Sequence, residues 1–254
     1  MKFLYLIFLS LILVSCKEAP TEPSVTLPMN GFPNNSGIIS VYKVSTTDSV
    51  NVSVERGFRK SYILTADTSK SIEYFRQLDS TTLDNGLAVS TTYFRNTNAG
   101  LYYYVDTTGF SSLITQQIPD TVRQLIKFDK EFTILSFPLT DGKYWTSFSL
   151  SILNIPIMEL KASFIKDENL TLVINNVSQQ ITAKQILYGF KLNTDPFNPF
   201  GIETYSAYAW YADGFGFVKF DGSSLVQGIL SGSGISQLPE NEVVSQRLIE
   251  FIKP

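Results

Sequence analysis

From residue 38 onward the apolar residues of this chain return at every second position, the mark of strands with one buried face, and this leaves little room for any class but all-β. Tyr144, Thr146, Phe148, Leu150 and Ile152 alternate with Trp145, Ser147, Ser149 and Ser151. One face is therefore predicted to be greasy and the other to carry serine, with Trp145 on the polar side. Val50, Val52 and Val54 repeat the pattern, as do Met158, Leu160, Ala162 and Phe164. Between residues 182 and 192, Thr182, Lys184, Ile186, Tyr188, Phe190 and Leu192 share one side. Turn signals punctuate these runs at Asp84-Asn85-Gly86, at residues 138–142 and at Asp213-Gly214.

Three stretches read differently. Ile72, Phe75 and Leu78 fit either a short helix or a strand, and Val122, Leu125 and Ile126 have helical spacing behind Pro119-Asp120. After a Gly- and Ser-rich approach over residues 222–236, Pro239 and two glutamates open a predicted helix with Val244, Leu248, Ile249 and Ile252 on one face. Strands with one apolar face need cover, and a single helix is too small to supply it. The expected fold is a single curved antiparallel sheet, a partly open barrel or half-barrel, with a short C-terminal helix. Two orthogonally packed sheets are the alternative.

Two absences restrict the chemistry. The chain has no histidine and one cysteine, so Ser-His-Asp and Cys-His nucleophiles, His-ligated zinc and haem, and internal disulfides all drop out. No cofactor is predicted. Carboxylate chemistry survives, with Asp79 and Asp84 or Glu203 and Asp213 as pairs, but these read first as turn formers and surface charges. Asp195 and Asn198, beside two prolines, read as turn residues before calcium ligands. A formal charge of −3 with no basic cluster argues against a nucleic-acid partner.

The lone cysteine has a telling place. Lys2 and the apolar run of residues 3–14 have the length of a secretory leader, and no later run approaches a membrane helix. Leu13-Val14-Ser15-Cys16 closes that leader and resembles the lipobox of bacterial lipoproteins. The resemblance implies cleavage before Cys16, a diacylglycerol on its thiol and an acyl chain on its new amino group. Two or more chains suffice for stable anchoring, where one does not. Lys17, in place of an inner-membrane retention signal, implies the outer membrane. The organisation is then a leader (1–15), a lipidated Cys16 with a tether (16–37), and a single β domain (38–254). Leu27, Met29 and Phe32 leave a second reading of the tether open, as an extended edge packed on the domain.

Residues 137–145 (FPLTDGKYW) together with residues 210–219 (WYADGFGFVK) resemble a pattern in uncharacterised secreted β proteins of bacteria. The general shape is similar, more weakly, to the LolA/LolB-like half-barrels that shelter lipid or lipopeptide chains. The resemblance implies fold and location, not activity. The expected function is a membrane-anchored, non-catalytic envelope lipoprotein that binds an apolar ligand or an envelope protein. Trp145, Phe148, Tyr188, Phe190 and Trp210 are the candidate ligand-binding residues, drawn from a 13% aromatic content. A structural or assembly lipoprotein without a small ligand is the alternative, and a carboxylate-dependent glycan hydrolase a distant third.

Overall fold

The computed structural model describes residues 31–67, 72–84, 86–104, 126–128, 130–152, 155–193, 201–231 and 234–254. The leader, Cys16, Val122, Leu125, Asp195 and Asn198 lie outside the described residues.

Alternation becomes sheet almost throughout. The strands of the first half are β1 (Ile39–Thr47), β2 (Ser53–Asp67), β3 (Tyr74–Leu83), β4 (Gly86–Asn96), β5 (Gly100–Tyr104), β6 (Ile126–Phe128) and β7 (Glu131–Ser136). Those of the second are β8 (Tyr144–Ile152), β9 (Ile155–Ile174), β10 (Val177–Asn193), β11 (Ile202–Ala212), β12 (Gly216–Gly222) and β13 (Val243–Ile252). All belong to one antiparallel sheet in the order β6-β8-β9-β10-β11-β12-β13-β1-β2-β3-β4-β5-β7. The sheet curls until β7 comes alongside β8, so the architecture is an all-β, nearly closed barrel. The one α-helix among the described residues, α1 (Ser224–Ser231), lies against β10, β11 and β12.

The expected C-terminal helix is instead β13. Val244, Gln246 and Leu248 point inward at period two, and the polar Gln246 hides that period behind the helical spacing of its neighbours. The true helix falls in the Gly- and Ser-rich approach. Ser223 caps it, its carbonyl accepting from the Gln227 N–H at 3.1 Å, and Val226 and Leu230, four residues apart, are fully buried. A Cβ on Gly228 would lie 2.8 Å from the Ser236 Cβ, so a glycine that reads as a breaker is a close-packing position.

Two side assignments also invert. The ladder between β8 and β9 is irregular between Thr146 and Phe148, which turns Trp145 inward with Phe148 and Leu150 and leaves Tyr144 80% exposed. Along β10 the ladder slips between Gln185 and Ile186, so Thr182 faces solvent while Ile186, Tyr188 and Phe190 are buried. Val50, Val52 and Val54 are exposed around the β1–β2 turn. Of residues 72–83, Tyr74–Leu83 settles as strand, with Tyr74, Gln77, Asp79, Thr81 and Leu83 inward, and Ile72 lies just before it.

Two long-range contacts fix the barrel ends. Asn175 and Asn176, at φ 52° and 62°, form the tight turn of the β9–β10 hairpin. The Asn175 side chain donates to the Phe251 carbonyl at 2.9 Å and accepts from its N–H at 3.0 Å, which ties the hairpin tip to β13. From the tether, Phe32 is buried edge-on against Phe94 and Phe217, with ring centroids 5.5 and 6.4 Å away. The Gly31 carbonyl accepts from the Gly214 N–H at 2.6 Å.

Candidate functional site

All five predicted aromatic residues are buried in the main core, packed on one another or on neighbouring rings. Trp145, Phe148, Tyr188 and Phe190 share the main core, at 8%, 2%, 0% and 2% exposure. Trp145 stands edge-on to Tyr188 at 6.3 Å, and Phe148 edge-on to Phe132 at 4.3 Å. Their polar atoms are spent on the backbone of β7. Trp145 Nε1 donates to the Thr133 carbonyl at 2.8 Å, and the Tyr188 hydroxyl to that of Ile134 at 2.6 Å. The β5–β7 register skips Ile134, and its carbonyl is the one that accepts from Tyr188. These two side chains hold β7 against the rest of the barrel.

Trp210, 4% exposed, belongs to the same core. Its Nε1 donates to Glu168 Oε2 at 3.0 Å, and Lys219 Nζ sits 3.9 Å above its ring. The indole bond and the neighbouring lysines hold the Glu168 carboxyl below the usual carboxylate range.

The other half of the interior is ionic, which the sequence reading missed. Arg59 and Asp79, at 3% and 0% side-chain exposure, pair at 2.8 Å across β2 and β3. Arg59 Nε donates to Gln246 at 2.8 Å, Gln77 donates to Asp79 at 2.8 Å, and Gln246 donates to Gln227 of α1 at 2.8 Å. The guanidinium lies 4.0 Å above the Tyr42 ring. Burial pushes the Asp79 carboxyl above its ordinary range, against the pull of Arg59 and Gln77. Beside this cluster is a cavity of about 30 Å³, space on the scale of a water molecule. The only sequence signal was a charge at inward phase on each of two neighbouring strands.

The carboxylate pairs do not assemble into a catalytic site. Asp79 is buried on Arg59, whereas the Asp84 side chain is 65% exposed beside Arg56. Glu203 accepts from the Tyr205 hydroxyl at 2.6 Å. Glu131 is the better-held carboxylate. Burial raises its pKa, but two 2.6 Å bonds from Arg95 and one from Tyr74 outweigh that and keep it below the usual range. Among the described residues no group of acids has the arrangement of a metal site.

The outside of the barrel carries an open groove of about 560 Å³ across β12, β13, β1 and β2. Two cross-strand rows run through it and continue past its rim to Lys219 and β11. In one, Tyr208, Asp221, Ser245, Ser45 and Glu55 stand opposite each other in turn. In the other, Trp210, Lys219, Arg247 and Lys43 do the same. These residues are scattered over most of the chain, so register alone unites them.

No protein-family model matches the chain, and no curated protein does. Among solved structures, it is similar to a candidate lipoprotein from Parabacteroides distasonis, with 13% identity, TM-score 0.48, and coverage of 88% of this chain and 99% of that one. It is also similar to a candidate exported protein with a YmcC-like fold from Bacteroides fragilis, with 12% identity, TM-score 0.47, and coverage of 89% and 100%.

Proposed function

We propose that this chain is a lipid-anchored protein of the bacterial envelope, held in the outer membrane through Cys16, whose body is a non-catalytic binding or assembly module that works from the outside of a filled barrel. The carrying observation is the interior. Trp145, Phe148, Tyr188 and Phe190 are packed on their neighbours, and the bonds from Trp145 and Tyr188 hold β7 in place. An apolar guest among those rings would have to break the contacts that keep the barrel shut. The outer face, by contrast, offers aromatic, charged and hydroxyl groups over five neighbouring strands. The anchor rests on the lipobox resemblance of residues 13–16 and on the apolar leader before it.

Native and denaturing mass spectrometry of the detergent-extracted full chain tests both halves. The expected polypeptide begins at Cys16, carries acyl chains, and retains no lipid at stoichiometric level once detergent is removed. A free Cys16 thiol would remove the anchor. A tightly retained apolar molecule would return the function to the barrel interior.

A further inference from the structure

We infer that the outer groove across β12, β13, β1 and β2 binds a saccharide chain bearing carboxylate groups. This deepens the reading of the body as a module that binds from its outer face, and rests on it.

Charge is the first argument. Lys219, Arg247 and Lys43 stand directly opposite one another on β12, β13 and β1, a row of like charges that repel at cross-strand distance. The outer two have local anions, Lys43 with Glu55 at 2.5 Å and Lys219 with Asp221 at 3.7 Å. Arg247, between them and exposed, has no acidic partner among the described residues. A planar guanidinium left open between two ammonium groups favours a carboxylate, which it can grip with two parallel bonds.

The surroundings choose the rest of the ligand. One residue row further along, Ser245 and Ser45 line the groove floor, and the Ser245 hydroxyl is buried without a hydrogen-bond partner. Glu55 and Asp221 flank these serines, acceptors for sugar hydroxyls but a repulsive frame for a continuous anionic surface. Beyond the rim, Tyr208, opposite Asp221 and 39% exposed, offers an aromatic face where the C–H face of a pyranose ring can lie. Five strands at about 4.8 Å spacing make the row about 19 Å long, room for a short oligosaccharide.

A bilayer headgroup fits this place less well. Gly31, where the described residues begin, bonds to Gly214 in the β11–β12 turn, while Asp221 and the groove lie at the far end of β12. The groove is thus at the opposite end of the body from Gly31.

The test uses the full-length chain in uncharged detergent, titrated calorimetrically with tetragalacturonate, maltotetraose, sodium sulfate and dihexanoyl-phosphatidylglycerol. Saturable binding of tetragalacturonate at least about tenfold tighter than of the other three is expected, the worth of one charge-assisted bond or more. Arg247→Gln should weaken it about tenfold, and Tyr208→Ala measurably, with the thermal midpoint of each variant unchanged. The inference is overturned if tetragalacturonate does not saturate, if sulfate or the phospholipid binds as tightly, or if Arg247→Gln binds as well as the parent. None of those results would restore a ligand to the interior or detach the lipid from Cys16, so the broader reading is judged separately.

Discussion

Arg59 and Lys43 occupy neighbouring strands, and each pairs with a carboxylate, yet one pair is sealed inside the barrel and the other lies open on its outer wall. The inner pair is surrounded by Gln77, Gln246, Gln227 and the Tyr42 ring, so almost every donor and acceptor is met by protein. The outer pair, with both side chains 47% exposed, exchanges freely with water and salt. Burial turns one and the same charge pair into either a fixed structural joint or an adjustable surface. The inner one specifies how β2, β3, β13 and α1 meet. The outer one is available to a ligand.

The sharpest way to break this contrast is to remove one member of the inner pair. Asp79→Asn leaves Arg59 buried without its anion and should cost about 3–5 kcal/mol in urea unfolding. Replacing both, with Arg59→Met and Asp79→Leu, should recover much of that loss, because two desolvation penalties disappear together. If the double variant is no better than the single, the cluster is not acting as a charge pair.

The seam comes next. Tyr188→Phe removes the one hydroxyl that serves the Ile134 carbonyl and should cost about 1–3 kcal/mol, the penalty for a buried acceptor left alone. Hydrogen exchange should rise in β7 before it rises in β2. A uniform loss of protection would mean that β7 is not separately fastened by Tyr188.

Acid should act through Glu131. Its carboxyl is held low in the folded chain, so its stabilisation is complete above the unfolded value of about 4.3 and is lost as pH falls through the lower folded value. Asp79 has the opposite sign, since burial holds it high and the folded chain takes up that proton first. Thermal midpoints followed from pH 6 downward should therefore fall less steeply in Glu131→Gln than in the parent. The smallest effect belongs to the outer pair. Lys43→Ala should change stability by less than about 1 kcal/mol, and the change should shrink in high salt. A larger cost would erase the distinction between wall and interior.

The all-β class was legible because period-two alternation survives in most strands. What sequence could not supply was phase. One irregularity near Ser147 is enough to move Trp145 from the expected polar face into the core, and no residue type announces such a slip. At β13 the inward Gln246 broke the apolar alternation, while Val244, Leu248 and Ile252 matched a helix by coincidence of spacing. The candidate aromatics were found as a group because large rings at inward phase converge, but convergence reflects packing as readily as a pocket. Arg59 with Asp79, and Lys219 with Arg247 and Lys43, are joined only by ladder register, which a single sequence does not encode locally.

The position of β13 has a consequence for how the molecule is made. It is the last strand in the sequence, and it fits between β12 and β1, the first. Until it emerges, the opening strand has one side unserved, and Asn175 at the long hairpin's tip has nothing to clasp. Closure of this seam needs β13, and contacts this distant along the chain tend to form slowly. For the export proposed above, that delay would keep the polypeptide thin enough to thread through a membrane pore before it rounds up on the other side.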